Sequence, residues 1–320
     1  MFFVNITMEL PISSVGHRLD TSEEAFGELH ESSFLLDDAE ALRLRMREDG
    51  YLYMRGFFRR DDVMEVRREL VGRLLKFDLL EPGTDPMDAI ARVAPTTSTV
   101  SVGNNDFTTN NPILDQLLYS GRMMDFYRHF FGEAVRHFDF TWMRMMSYGK
   151  GTTPHCDVVY MGRGTREKLL TAWTPMGDAP LRVGGLMILE GSHLQHERLR
   201  TYLERDVDSY CANKEDSGKV EEGFRNGVDL RLQKFNGRLS TNPASLREKL
   251  GGRWLTTDYE AGDLLTFTMH TVHASIDNQS DRYRISTDSR YQPASLPADD
   301  RWIGENPPGH GTARMRGLIC

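Results

Sequence analysis

His155 and Asp157 stand two residues apart, and their side chains are of the types that bind divalent metals. In an extended segment the side chains at i and i+2 project from one face, and Pro154 biases the residue before it toward extended backbone. An imidazole nitrogen beside a carboxylate oxygen supplies two of the three ligands of a facial His–His–carboxylate set. Such a set grips Fe(II) and leaves three coordination positions open. His-x-Asp recurs by chance in many chains, so the pair needs a third partner. Two candidates, His270 and His273, follow the turn and strand pattern Ala261-Gly262-Asp263-Leu264-Leu265-Thr266-Phe267. Eleven residues after His273 comes Arg284, with Ser286 two further on, and the two share a face of the next strand. A guanidinium beside a hydroxyl suits a carboxylate, which Arg binds bidentately while Ser adds one donor. Arg282, closer to the turn, reads as a surface residue. The remaining histidines are isolated, the pattern of surface or packed core residues.

The elements that must position these groups change character along the chain. Residues 37–49 have acids at the start and apolar Ala41, Leu42 and Met46 at helical spacing. Gly50 ends that helix, and Tyr51–Phe57 follows as a short strand. Asp61-Asp62 caps a second helix to about Leu75, with Val63, Val66, Leu70 and Leu74 on one face. A further helix covers 112–131. From about residue 135 the period becomes that of strands, at 138–145, 168–175, 185–190, 263–275 and 283–291, separated by Gly, Pro, Asn and Asp turns. Helices followed by short strands predict an α+β protein, a mainly β core of sandwich or jelly-roll type buttressed by helices at about 37–131. The core spans about 135–295, and residues 1–320 read as a single domain. The polar stretch 194–256, with a helical piece at 195–207 and a Gly- and Asn-containing run at 235–238, interrupts the strands. Its length marks a lid or binding loop.

Composition narrows the function further. A formal net charge of -8 argues against a nucleic-acid partner, which needs clustered surplus cations. Arg59-Arg60 and Arg67-Arg68 sit among acids and read as solvated helix faces. Arg163, Arg166 and Lys168 could meet an anionic substrate but read better as a solvated turn. Cys156, Cys211 and Cys320 are too few and scattered for a disulfide framework or a cysteine zinc site, which fits a reducing compartment. The sequence shows neither a signal-peptide pattern nor an apolar run long enough to span a membrane. The expectation is a soluble, cytoplasmic protein with a small-molecule partner. Trp142, Tyr160, Met161 and Met187 read as core.

With these pieces in place, the chain resembles the phytanoyl-CoA dioxygenase-like branch of the 2-oxoglutarate oxygenases. The resemblance runs in pieces over roughly 40–295: Gly50–Phe57, His155-Cys156-Asp157, Thr171–Asp178, Gly184–His193, Gly262–Leu265, and His273-Ala274-Ser275 followed by Arg284. It implies a double-stranded β-helix (the jelly-roll or cupin-like fold) with outer helices, and an enzyme using Fe(II), 2-oxoglutarate and O2. It implies His155, Asp157 and His273 as iron ligands, and selects His273 over His270, leaving His270 a structural part. Arg284 would meet the distal carboxylate of 2-oxoglutarate with Ser286 beside it, and Trp173 would lie against the cosubstrate, although core packing would also account for it. His193 falls in a turn motif of the family and is not a ligand. The implied reaction hydroxylates an unactivated C–H bond, releasing succinate and CO2. Desaturation, ring closure and epimerisation use the same ligands, and a non-catalytic metal-binding jelly-roll module is the rival from another class. Halogenating members carry a small residue where Asp157 stands here. The 118 residues between His155 and His273 exceed the family's usual spacing, and the excess falls in 194–256. Neutral imidazoles are required, so iron loss is expected as pH falls through the histidine range.

Overall fold

The computed structural model describes residues 11–92, 105–213, 235–311 and 314–319. The N-terminal ten residues, 214–234 of the expected insertion, and Cys320 lie outside the described residues. A hairpin of β1 (Ser13–Ser14) and β2 (His17–Arg18) precedes β3 (Phe26–Glu28) and β4 (Tyr51–Met54). After the helices come β5 (Val135–His137), β6 (Trp142–Met146), β7 (Leu170–Pro175), β8 (Leu186–Leu189) and β9 (Ser209–Cys211). Then follow β10 (Trp254–Thr256), β11 (Leu264–Thr268), β12 (His273–Ser275), β13 (Arg284–Pro293) and β14 (Arg316–Leu318).

Two sheets carry the core. One runs β4-β11-β7-β13-β5, with β6 also on β13, and the other β12-β8-β10-β3. The two-residue period of a strand divides each one between two apolar layers. Tyr51, Tyr53, Trp173, Leu265 and Phe267 from the first sheet meet Leu186, Ile188 and Leu255 from the second. The alternate residues Leu52, Met54, Ala172, Leu264 and Ile285 pack instead against the N-terminal helices. Met187 and Leu189 face a third cluster that includes Leu199 and Leu203 from helix His196–Leu203 and Leu246 and Leu250 from helix Pro243–Leu250. The β-rich core with helices against it is thus as expected.

The helical expectations shift in detail. Helix Ala39–Asp49 is capped by Asp38, whose carboxylate accepts from the backbone N–H groups of Glu40 and Ala41. Helix Arg60–Leu75 has Arg59 at its N-cap, and Asp61 and Asp62 lie in its first turn, where acids favour the dipole. Val63, Val66, Leu70 and Leu74 are buried, as the spacing predicts. The single helix expected over 112–131 is two, Pro112–Tyr119 and Gly121–Phe131, because Ser120 is extended (φ -141°, ψ -179°). The strand expected over 263–275 is also two, β11 and β12 with a turn between, where Thr268 and Thr271 share a 2.8 Å hydrogen bond. The alternation over 138–145 yields a strand only at β6.

One charge expectation is overturned. Arg67 is buried, not solvated: it donates to Met87 O through Nε (2.9 Å) and Nη2 (2.8 Å) and to Met176 O through Nη1 (2.7 Å). It ties the second helix to the end of β7 and to the chain after the helix. Among the cysteines, Cys211 is disulfide-bonded, while Cys156 is free and buried. No helix among the described residues is long and apolar enough to cross a membrane. Arg67→Ala leaves two carbonyls without their donor and is expected to cost about 2–4 kcal/mol. The check is a lower urea midpoint at unchanged slope.

Candidate metal centre

The site begins with backbone pairing. His155 and His273 form an isolated antiparallel bridge, each N–H donating to the other's carbonyl at 3.0 Å. Directly opposed residues project from one face, and the two ring centroids are 4.2 Å apart. The β8–β12 register also sets His273 opposite Ile188, which points between the sheets. Asp157 arrives differently from the expectation. It is not on an extended strand but in helical backbone (φ -68°, ψ -22°), at the start of the turn Val158–Met161. That turn, rather than a pleat, brings its carboxylate between the imidazoles.

His155, Asp157 and His273 are buried, and their ligand atoms lie within 4.8 Å of one another, a group that could hold a metal ion. Asp157 Oδ1 is 3.6 Å from Nε2 of both His155 and His273. His155 Nδ1 lies 2.8 Å from Thr153 O and His273 Nδ1 lies 3.1 Å from Thr271 O. A carbonyl only accepts, so each Nδ1 carries the proton and each Nε2 presents a lone pair toward the carboxylate. Burial pushes His155 down to about 3, helped by His273 and opposed by Asp157, and burial lowers His273 as well. Burial alone would raise Asp157, but Arg290 and the two histidines outweigh it and hold the carboxyl below the usual carboxylate range. Two neutral imidazoles and one ionised carboxylate are the donor set that Fe(II) requires.

A second buried charge lies on β13, whose inward face reads Arg284, Ser286, Asp288, Arg290. The β7 register sets Pro175, Trp173 and Thr171 opposite the last three. Arg284 is 2% exposed, and its Nε and Nη1 have no hydrogen-bond partner. Burial lowers its pKa to about 10, so it stays charged at neutral pH. A buried guanidinium without acceptors demands an anion. Trp173 Nε1 donates to Ser286 Oγ at 3.0 Å, which leaves the serine O–H free to donate onward. The Trp173 ring centroid is 5.8 Å from the Arg284 guanidinium carbon. Arg284, Ser286 and Trp173 therefore form one cluster, and the residues fit a dicarboxylate as well as a metal.

The other sequence expectations fall outside this centre. His270 is buried beside His196, with ring centroids 4.9 Å apart, and is not part of the ligand group. Gly50 (φ +78°) leaves room for His193, since a Cβ would lie 2.4 Å from its Nδ1. His193 Nε2 lies 3.0 Å from Arg47 O. Arg163 is bound by Asp206 and by the Arg314 and Asp208 carbonyls, so the solvated-turn reading fails for it. Arg282 pairs with Asp88 at the surface, as expected.

Sequence reasoning missed several neighbours. Arg290 Nη2 and Thr171 Oγ1 both donate to Asp157 Oδ2, at 2.9 and 2.5 Å. Arg144 Nε donates to Asp288 at 2.9 Å. Met161 and Met187 are core, but Tyr160 sets its ring edge-on to His155 at 5.5 Å, and Trp142 lies 4.5 Å from the Arg290 guanidinium carbon. The signal for Arg290 was available: it shares parity with Arg284 on one strand. Thr171 carried none.

Comparison with known proteins gives the family and the fold. The phytanoyl-CoA dioxygenase family model matches residues 46–286. The chain is 27% identical over 280 residues to a 1-deoxypentalenic acid 11-beta-hydroxylase of Streptomyces exfoliatus, covering 82% of this chain and 83% of the relative. It is 25% identical over 290 residues to the protein of the same name from Streptomyces arenae, covering 85% and 87%. Its fold is similar to that of the non-heme alpha ketoglutarate dependent epimerase SnoN from nogalamycin biosynthesis, solved with Fe3+, alpha ketoglutarate and nogalamycin RO (TM-score 0.53, 19% identity, 88% of this chain and 95% of that one). The carbocyclase SnoK from the same biosynthesis matches at TM-score 0.53, with 17% identity over 84% and 90%.

The depressed imidazoles change the pH expectation. Ordinary histidines would cost metal affinity on the order of tenfold per pH unit each below about 6.5. Here burial holds both imidazoles below their ordinary range, so Mn(II) affinity by calorimetry should fall less steeply than that between pH 7.5 and pH 5.5. Conversely, the metal-free protein should lose stability as pH falls from about 6.5 toward 3. Over that window the unfolded chain takes up a proton that the folded His155 imidazole refuses, and thermal melting across pH checks it.

Proposed function

The chain belongs to the phytanoyl-CoA dioxygenase family, and on that premise we propose that His155, Asp157 and His273 hold its iron while Arg284 anchors 2-oxoglutarate. The protein is an iron- and 2-oxoglutarate-dependent oxygenase acting on a small molecule. Hydroxylation of a C–H bond is the reaction favoured by the relatives' names. The observation that carries the site assignment is the pairing of a buried His–Asp–His group with a buried arginine that lacks any acceptor.

When bound, the iron, 2-oxoglutarate and O2 together supply the oxidant that places oxygen in an unactivated C–H bond, with release of succinate and CO2. The chain's own residues do the placing. The Nδ1–H bonds to Thr153 O and Thr271 O fix both imidazole planes and aim both Nε2 lone pairs. Arg284 would take the far carboxylate, with the free Ser286 O–H as an added donor, and Trp173 keeps that hydroxyl turned through its Nε1–H. Phe267, its ring centroid 4.5 Å from that of His273, and Tyr160 against His155 keep water from the back of the ligands. The two facing sheets support the double-stranded β-helix reading, in a single domain with 194–256 as an insertion near the site. Described parts of that insertion support a lid: Leu239 N donates to Pro154 O at 2.9 Å, and Tyr160 O–H donates to Asn236 O at 2.8 Å.

Purified protein with Fe(II), ascorbate and 2-oxoglutarate should form succinate above a His155→Ala control. Equal succinate from the two proteins, with candidate substrates present, would sink the enzyme reading. Arg284→Leu should raise the KM for 2-oxoglutarate about 100-fold, the scale of losing one partner of a buried charge pair.

A further inference from the structure

The inward face of β13 carries one more buried cation. Arg290 is 1% exposed, and its Nη2 donates to Asp157 Oδ2 at 2.9 Å. Its Nε and Nη1 have no hydrogen-bond partner among the described residues, and its ion pair there is with Asp157. The Trp142 ring, 4.5 Å from the guanidinium carbon, covers it. Thr171, directly opposite Arg290 across the β7–β13 pair, donates to the same Oδ2 at 2.5 Å. The two oxygens of Asp157 are therefore in unlike surroundings. Oδ2 is held by two donors, whereas Oδ1 stands 3.6 Å from both imidazole Nε2 atoms.

That asymmetry matters for counting coordination positions. A carboxylate with both oxygens free can bind a divalent cation through one or both. Binding through both would fill a fourth of six positions and leave only two, too few for a chelating keto acid plus O2. We propose that Arg290, with Thr171, is a positioning residue that confines Asp157 to ligation through Oδ1 alone and so keeps the neighbouring position open for the cosubstrate. The inference rests on the metal-centre reading above. It assigns Arg290 a task distinct from that of Arg284: one arginine recognises a ligand, and the other restrains a ligand-bearing side chain.

The test separates metal binding from cosubstrate chelation. Protein loaded with Fe(II) under anaerobic conditions is titrated with 2-oxoglutarate, following the visible absorption of the chelate, and Mn(II) affinity is measured independently. In Arg290→Leu, Mn(II) should bind within about threefold of wild type, while half-saturation by 2-oxoglutarate rises about tenfold, within the range seen for groups behind metal ligands. Arg290→Lys should recover most of the loss, and Thr171→Val should shift the half-saturation about threefold. Removing a buried counter-charge can unfold the chain, so Thr171→Val decides the matter if Arg290→Leu does not fold. A purely structural role would lower the melting temperature and leave the chelate titration unmoved. A folded Arg290→Leu protein that titrates like wild type, or failing that a Thr171→Val protein that does so, would overturn the inference. Absence of the chelate band in wild type would instead overturn the metal-centre reading, and the inference with it.

Discussion

Two backbone hydrogen bonds between His155 and His273 join segments that are 118 residues apart, and the candidate site hangs on that junction. The bridge opposes the two residues, so their rings meet without any side-chain adjustment. It also docks the turn that starts at Asp157 against the end of β11: Val158 N donates to Met269 O at 3.0 Å, and Cys156 Sγ lies 3.3 Å from His270 O. The turn between β11 and β12 is tied in its own right, by Thr271 Oγ1 to Gly50 O and by Val272 N to Ser192 Oγ. Displacing any of these moves an imidazole. The candidate ligands are thus set by main-chain pairing, and the contact that brings them together closes a long loop at an entropic cost that the surrounding packing must offset.

The same two-residue period that splits the apolar strands into layers also concentrates the chemistry. Every residue of β13 is buried, yet its inward side is polar at four successive positions while its outward side carries Ile285 and Tyr291. A central strand lined with two arginines and an aspartate is costly without partners. Asp288 is paired with Arg144, and Arg290 with Asp157. Arg284 alone among these charges has no hydrogen-bonding partner among the described residues, which is why the proposed anion is assigned to it.

Much of this was legible in the sequence where the signal was local or periodic. The helix face of Val63, Val66, Leu70 and Leu74, the His-x-Asp pair and the Arg-x-Ser pair all rest on spacing within one element. The choice of His273 over His270 needed the family resemblance, because spacing alone left both open. What failed was long-range or hinged on one backbone angle. Ser120 breaks a helix that its neighbours would have continued, and Arg67 finds two carbonyls that lie far from it in sequence. Asp157 meets its neighbours through a helical turn, which the extended reading of Pro154–Asp157 did not foresee. Thr171 became visible as a partner of Asp157 only through strand register.

The limb at 235–239 lies directly against the segment that carries His155 and Asp157, and the manner of its attachment has an evolutionary consequence. Tyr160 and Tyr202 grip it through the carbonyls of Asn236 and Gly237, and Pro154 O accepts from Leu239 N. Gly237 (φ +83°) is the constrained position, since a Cβ there would come within 2.1 Å of Tyr160. The hydrogen bonds are to peptide groups, while the Phe235 ring packs on Tyr202 and Arg205 and Leu239 packs against the core. The exposed Arg238 side chain can therefore change without loosening the joint, and a new substrate preference can arise beside the His–Asp–His group while that group is inherited unchanged.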